Sequence, residues 1–202
     1  MIPSTSRLVL ILCLLLFAPP LMAQDVEEKS SPVETQLPDS PANFEWQHLP
    51  EIKGAFLLPD NWHFLKQKQG ETQAYFLTRE DIAKNGRFST GLSINVIPKV
   101  EEKTGYPAAA YAKAFISVAG PETNEEVLER ARLGEETMPG FGVRTRSTND
   151  AGSPVITHRI AFGNTETGTC YLISFESPEA QWEEAWSKGE LMLTKFLLDQ
   201  SV

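Results

Sequence analysis

Trp62-His63-Phe64-Leu65-Lys66-Gln67-Lys68-Gln69-Gly70-Glu71-Thr72-Gln73-Ala74-Tyr75-Phe76-Leu77-Thr78 decides the fold of this 202-residue chain. Two runs rich in β-formers flank Gln69-Gly70, which reads as the turn of a tight hairpin. That register sets Trp62 opposite Leu77, His63 opposite Phe76, Phe64 opposite Tyr75 and Leu65 opposite Ala74. Both faces of the hairpin are then apolar. A sheet that is apolar on both faces needs cover on both, so the reading is a sheet with helices on either side and not an open one-sided sheet.

Working outward, Phe44 to Leu49 and Gly54 to Leu58 read as short strands, and Pro59-Asp60-Asn61 punctuates before Trp62. Downstream, Leu92, Ile94 and Val96 alternate with Ser93 and Asn95 until Pro98. Pro107 fits the first turn of an Ala-rich helix that runs to Val118 and stops at Gly120-Pro121. Asn124 to Leu133 reads as a short helix or a loop. Three strands follow, Phe141 to Ser147, Pro154 to Phe162 and Thr169 to Glu176. Ser177 and Pro178 then suit the cap and first position of a terminal helix, in which Trp182, Ala185, Trp186, Gly189, Leu193 and Phe196 recur at helical spacing. Short turns between successive strands favour antiparallel pairing. The fold class is α+β: a mostly antiparallel sheet covered by helices on both faces.

The N-terminus reads as a secretory signal. Arg7 precedes an apolar run from Leu8 to Phe17, and Pro19-Pro20 lead to Leu21-Met22-Ala23, where cleavage fits. The run is too short to span a bilayer, which takes about 20 apolar residues. Cys13 lies inside it and not after a lipobox, so no lipid anchor is expected. Gln24 to Asn43 is rich in Pro, Ser and Glu and holds no aromatic, the composition of a disordered leader. The expectation is thus a signal over 1–23, a leader over 24–43, a single domain over 44–200, and a periplasmic or secreted location with no stable membrane span after cleavage.

The formal charge of −9, with 18 Lys and Arg against 27 Asp and Glu, is a poor footprint for nucleic acid. Once the signal leaves, Cys170 is alone, so neither an internal disulfide nor a cysteine metal cluster can form. No G-x-S-x-G, H-E-x-x-H, C-x-x-C, G-x-x-x-x-G-K or G-x-G-x-x-G motif occurs; no cofactor and no metal are expected, and the chain reads as a non-enzyme. His48 reads as exposed, His63 and His158 as core histidines, and Cys170 as a small buried hydrophobe. A small hydrolase or thiol enzyme using Cys170 with His158 is the alternative, and it needs both on one face of adjacent strands. Trp182 and Trp186 read as core, with a groove for an apolar ligand or peptide as the other reading. Arg144, Arg146 and Arg159 are the candidate binding residues. Pairing of the strands around Asn149 to Gly152 is expected to gather them on the side opposite Phe141 and Val143, where they would meet an unknown protein or a small anionic ligand. Pairing with Glu135, Glu136 or Glu166 is the plainer role for them.

Phe56-x-x-Pro59-x-x-Trp62, the Pro107-led helix, and Tyr171-x-Ile173-x-Phe175 running into a Trp-bearing terminal helix resemble the PsbP-like superfamily. Where that family often carries Gly before the tryptophan, this chain has Asn61. The resemblance implies an α/β/α sandwich and a non-enzymatic binding or assembly factor, and it implies no catalytic residue.

Overall fold

A computed structural model describes residues 37–120 and 123–198 of the chain. The signal, Cys13 and the leader up to residue 36 lie outside them. Residues 37–43, expected in the leader, are tied to the domain: Pro38 O accepts from Trp46 Nε1 at 2.7 Å, and Asn43 O accepts from Asp60 N at 2.9 Å.

The first two strands, β1 (Phe44–Leu49) and β2 (Gly54–Pro59), form an antiparallel pair of their own. The remaining strands are β3 (His63–Gln69), β4 (Thr72–Thr78), β5 (Gly91–Ile97), β6 (Glu126–Gly134), β7 (Pro139–Thr148), β8 (Pro154–Gly163) and β9 (Cys170–Pro178). They make one antiparallel sheet in the order β3-β4-β5-β9-β8-β7-β6. Four helices accompany it among the described residues: α1 (Ile82–Asn85), α2 (Val100–Thr104), α3 (Ala108–Ser117) and α4 (Trp182–Thr194).

The deciding hairpin forms two residues out of the expected register. His63 faces Thr78, Phe64 faces Leu77 and Gln69 faces Thr72, so Gly70-Glu71 is the loop. Gly70 has φ +60°, and a glycine at the first of two loop positions is what a type II′ turn asks for. Side chains alternate with a period of two, so this shift leaves every residue on its expected face. Phe64 and Tyr75 still stack diagonally, with centroids 6.3 Å apart. His63, expected in the core, is exposed at the start of an edge strand.

Alternate residues of β9 feed different clusters. Tyr171, Ile173 and Phe175 pack with Trp182, Ala185, Met192 and Leu193 of α4 and with Phe56 and Leu57 of β2. Cys170 and Leu172 pack with Ala108, Ala112 and Ile116 of α3 and with Val143 and Ala161. Two glycines set how close the helices come. A Cβ on Gly163 would meet the Ala108 and Ala109 backbone at 2.4 Å, and one on Gly189 would meet the Phe175 ring at 2.7 Å.

Three elements differ from the sequence reading. Residues 126–134 form the edge strand β6, not a helix or loop, although Glu, Leu, Arg and Ala are good helix formers; tertiary pairing with β7 overrides that preference. Val100 to Thr104 forms the short α2. Ser177 does not cap the terminal helix, because it pairs with Ile156 in the sheet; a 3₁₀ turn at Glu179–Gln181 intervenes before α4. Asn61, which stands where the resembled family often has Gly, has φ +63°. Asn is one of the few non-glycine residues that enters the left-handed region readily.

Candidate functional site

Residues directly opposite each other in an antiparallel pair share a face. The β7–β8 register sets Arg144 opposite His158, Arg146 opposite Ile156 and Val143 opposite Arg159. Arg144 and Arg146 therefore share the His158 face, while Arg159 lies on the other side with Val143. The expected gathering of all three does not form. It would need a one-residue slip, which would turn Ile156 and Ile160 out of the cluster they fill.

Arg144 is a clamp between sheet and helix. Its guanidinium carbon lies 4.5 Å from the Trp186 ring centroid and 5.6 Å from that of Trp182. The two indoles stack at 5.1 Å, and Phe175 meets both edge-on at 5.9 and 5.7 Å. Arg144 Nη1 also reaches Glu129 Oε2 of β6 at 3.4 Å. The His158 ring sits 5.0 Å from Trp186. Burial, and then the Arg144 charge, push the His158 pKa down to about 4. The imidazole is therefore neutral near pH 7 and has no charge to contribute there. His158 Nδ1 and Arg144 Nε are both buried without a hydrogen-bond partner among the described residues. This constellation holds α4 on the sheet through cation–π and aromatic packing.

Arg146 stands at the surface, with 43% of its side chain exposed. Its Nη1 donates to Glu126 Oε2 at 3.1 Å and its Nη2 to Glu179 Oε1 at 2.5 Å. The three line a depression of about 520 Å³ together with Asn124, Ser147, Thr148 and Pro154. Two carboxylates against one guanidinium leave the depression negative, so its electrostatics do not favour a small anionic ligand.

Arg159 donates from Nη2 to Glu125 Oε1 at 2.5 Å, and both are largely buried. Burial pushes the Glu125 carboxyl up, but the hydrogen bond and charge of Arg159 outweigh it and hold the group below the ordinary range. The acids that pair with the three arginines are thus Glu125, Glu126, Glu129 and Glu179, not the expected Glu135, Glu136 or Glu166. Three of them lie in or just before β6, and reading that segment as a strand would have pointed to them.

Cys170 and His158 form no pair. Cys170 faces Gly163 on β8 and His158 faces Phe175 on β9, which puts them on opposite sides of the sheet. They are also five residues apart along β8, roughly 16 Å of strand. Cys170 is fully buried, and burial raises its thiol pKa to about 12. A thiolate–imidazole centre cannot assemble from these two. Among the described residues no group of three or more His, Cys, Asp or Glu could hold a metal ion, and no helix is long and apolar enough to cross a membrane.

No protein-family profile and no curated protein matches the chain. Solved structures similar to it include cyanobacterial PsbP from Synechocystis, at 12% identity and TM-score 0.48, covering 79% of this chain and 95% of that one. The Ran-binding protein Mog1p of Saccharomyces cerevisiae is 17% identical, with TM-score 0.48 and coverage of 79% and 97%. LpqN of Mycobacterium tuberculosis, described as involved in cell envelope biogenesis, is 6% identical, with TM-score 0.45 and coverage of 73% and 84%.

Proposed function

We propose that the protein is an exported, non-catalytic binding or assembly module that meets a protein partner through its surface, at the depression around Arg146. The observation that carries this reading is the exposure of Arg146. Among the three candidate arginines it has the most exposed side chain, at 43% against 23% for Arg144 and 25% for Arg159. Its counterions Glu126 and Glu179 are themselves 61% and 34% exposed and come from two different elements. Ion pairs at such exposure rearrange at little cost, so a partner's carboxylate can take the guanidinium while its basic groups take the freed glutamates. The reading includes a sheet covered on both faces, by α3 on one and by α4 with β1–β2 on the other. The alternation of Cys170 and Leu172 with Tyr171, Ile173 and Phe175 between two clusters supports that cover.

The test is affinity capture of the tagged chain from the envelope and secreted fractions of its own cell. A stoichiometric partner that is lost with Arg146→Ser and kept with Glu184→Gln supports the proposal, as does a purified chain whose mass starts at Gln24. A partner indifferent to Arg146→Ser, or a chain recovered intact from Met1 in the cytosol, overturns the corresponding half.

A further inference from the structure

One row of side chains crosses six strands on the α3 side of the sheet: Leu65, Phe76, Ser93, Ser174, Arg159 and Val143, each directly opposite the next. α3 packs on β7, β8 and β9 at one end of this face. Toward the other end Leu65, Ala74, Phe76 and Ser93 are only half-buried. Phe88 meets Phe76 edge-on at 6.4 Å and is half-buried as well.

Glu176 stands in the adjoining row, between Gly91 on β5 and Thr157 on β8. Gly91 offers no side chain, and Ser93 and Ser174 are small, so the floor beside the carboxylate is low. Glu176 is half-buried, yet no hydrogen bond or ion pair reaches its carboxylate among the described residues. The cation that attracts it, Arg159, is already engaged. Arg159 is held by Glu125 at 2.5 Å, and Arg79 lies 3.4 Å from Glu80, whose carboxylate also accepts from Ser89 and Thr90. Arg159 thus stands between two carboxylates, Glu125 and Glu176, and its hydrogen bond goes to Glu125. Burial, and repulsion from Glu80, raise its pKa despite the attraction of Arg159. A half-buried carboxylate without a hydrogen-bonded counterion is costly to fold, and a cation supplied from outside removes that cost.

We infer that this shelf docks an arginine side chain presented by a partner protein, with the guanidinium on the Glu176 carboxylate and the stem along Phe76 and Phe88. A guanidinium suits it because the planar fork pairs with a carboxylate while its flat face lies on aromatic rings. The inference rests on the reading of the chain as a binding module, but it uses the face opposite Arg146.

The probe is a capped tetra-arginine peptide, titrated by NMR into the ¹⁵N-labelled protein as its own cell processes it. The expected result is saturable shifts at the amides of Ser93, Ser174 and Glu176, with affinity weakened about tenfold or more by Glu176→Gln. The exposed control Glu184→Gln, which removes the same charge from α4, changes affinity by less than about twofold. Glu176→Gln is also expected to melt at the same or a higher temperature, which shows that the loss is not misfolding. Equal weakening by the two variants, shifts scattered over the acidic surface, or no binding overturns the inference. Each of those results leaves the Arg146 surface standing, because its own test runs on Arg146→Ser and a captured partner.

Discussion

At neutral pH His158 carries no charge, because burial and the neighbouring Arg144 bring its pKa from 6.5 to about 4. Between those values the unfolded chain takes up a proton that the native protein refuses, so stability falls as pH falls through that window and levels off below it. The component is about 3 kcal/mol at most. Urea midpoints at pH 7 and pH 4.5 are expected to differ less for His158→Phe than for the wild type; an unchanged difference would show that the imidazole is not the group responsible. Glu176 works with the opposite sign. Its raised pKa means that the native protein keeps a proton that the unfolded chain gives up as pH rises above the ordinary carboxyl range, so the native state loses stability there. Cys170 is expected to resist thiol reagents until the protein unfolds, since its thiol is fully buried and its pKa is near 12. Fast labelling of the native protein would contradict that placement. Of these features the sequence shows the burial of Cys170 and the aromatic face of α4. It does not show which arginine shares that face, because this depends on a one-residue question of register between β7 and β8.

The two helices approach the sheet through glycines, and this sets the outcome of substitution there. Gly163→Ala would drive a methyl into the α3 backbone, which cannot rotate aside, and it is expected to cost about 1–3 kcal/mol. Gly189→Ala gains roughly 1 kcal/mol of helix propensity but meets the Phe175 ring, and the net effect is expected to be destabilising. Denaturant unfolding of both variants checks this, and a stabilised Gly163→Ala would mean that α3 stands further from β8. Strand positions were the most legible elements, because alternation of apolar residues survives a two-residue error in hairpin register. β6 was not legible. Its Glu and Arg residues look helical in isolation, and what makes them a strand is the ladder with β7 and the ion pairs from Glu126 and Glu129 to Arg146 and Arg144. The start of α4 was also misplaced, since Ser177 and Pro178 have a helix-starting pattern but stay in the sheet.

Across the domain, the segment after α4 returns to β2. Leu197 exchanges two backbone hydrogen bonds with Ala55, both at 2.9 Å, and Phe196 stacks on Phe56 at 5.3 Å. Ending the chain at Thr194 removes these contacts and is expected to cost about 3–5 kcal/mol, on the scale of a lost core aromatic. Urea unfolding of the shortened protein measures this, and a loss under about 1 kcal/mol would show the tail to be peripheral. The free edges are managed differently: β3 carries Lys66, paired with Glu51, and the exposed Lys68, and β6 is interrupted by an irregularity between Val127 and Glu129. The strand order has a further consequence, in time. β5 lies against β9, so the middle of the sheet waits for a segment made long after it. At ordinary rates of synthesis that wait is on the order of ten seconds, during which β3, β4 and β5 have no central partner. A nascent chain of this topology is expected to join the two halves of its sheet only when Cys170 to Pro178 has emerged.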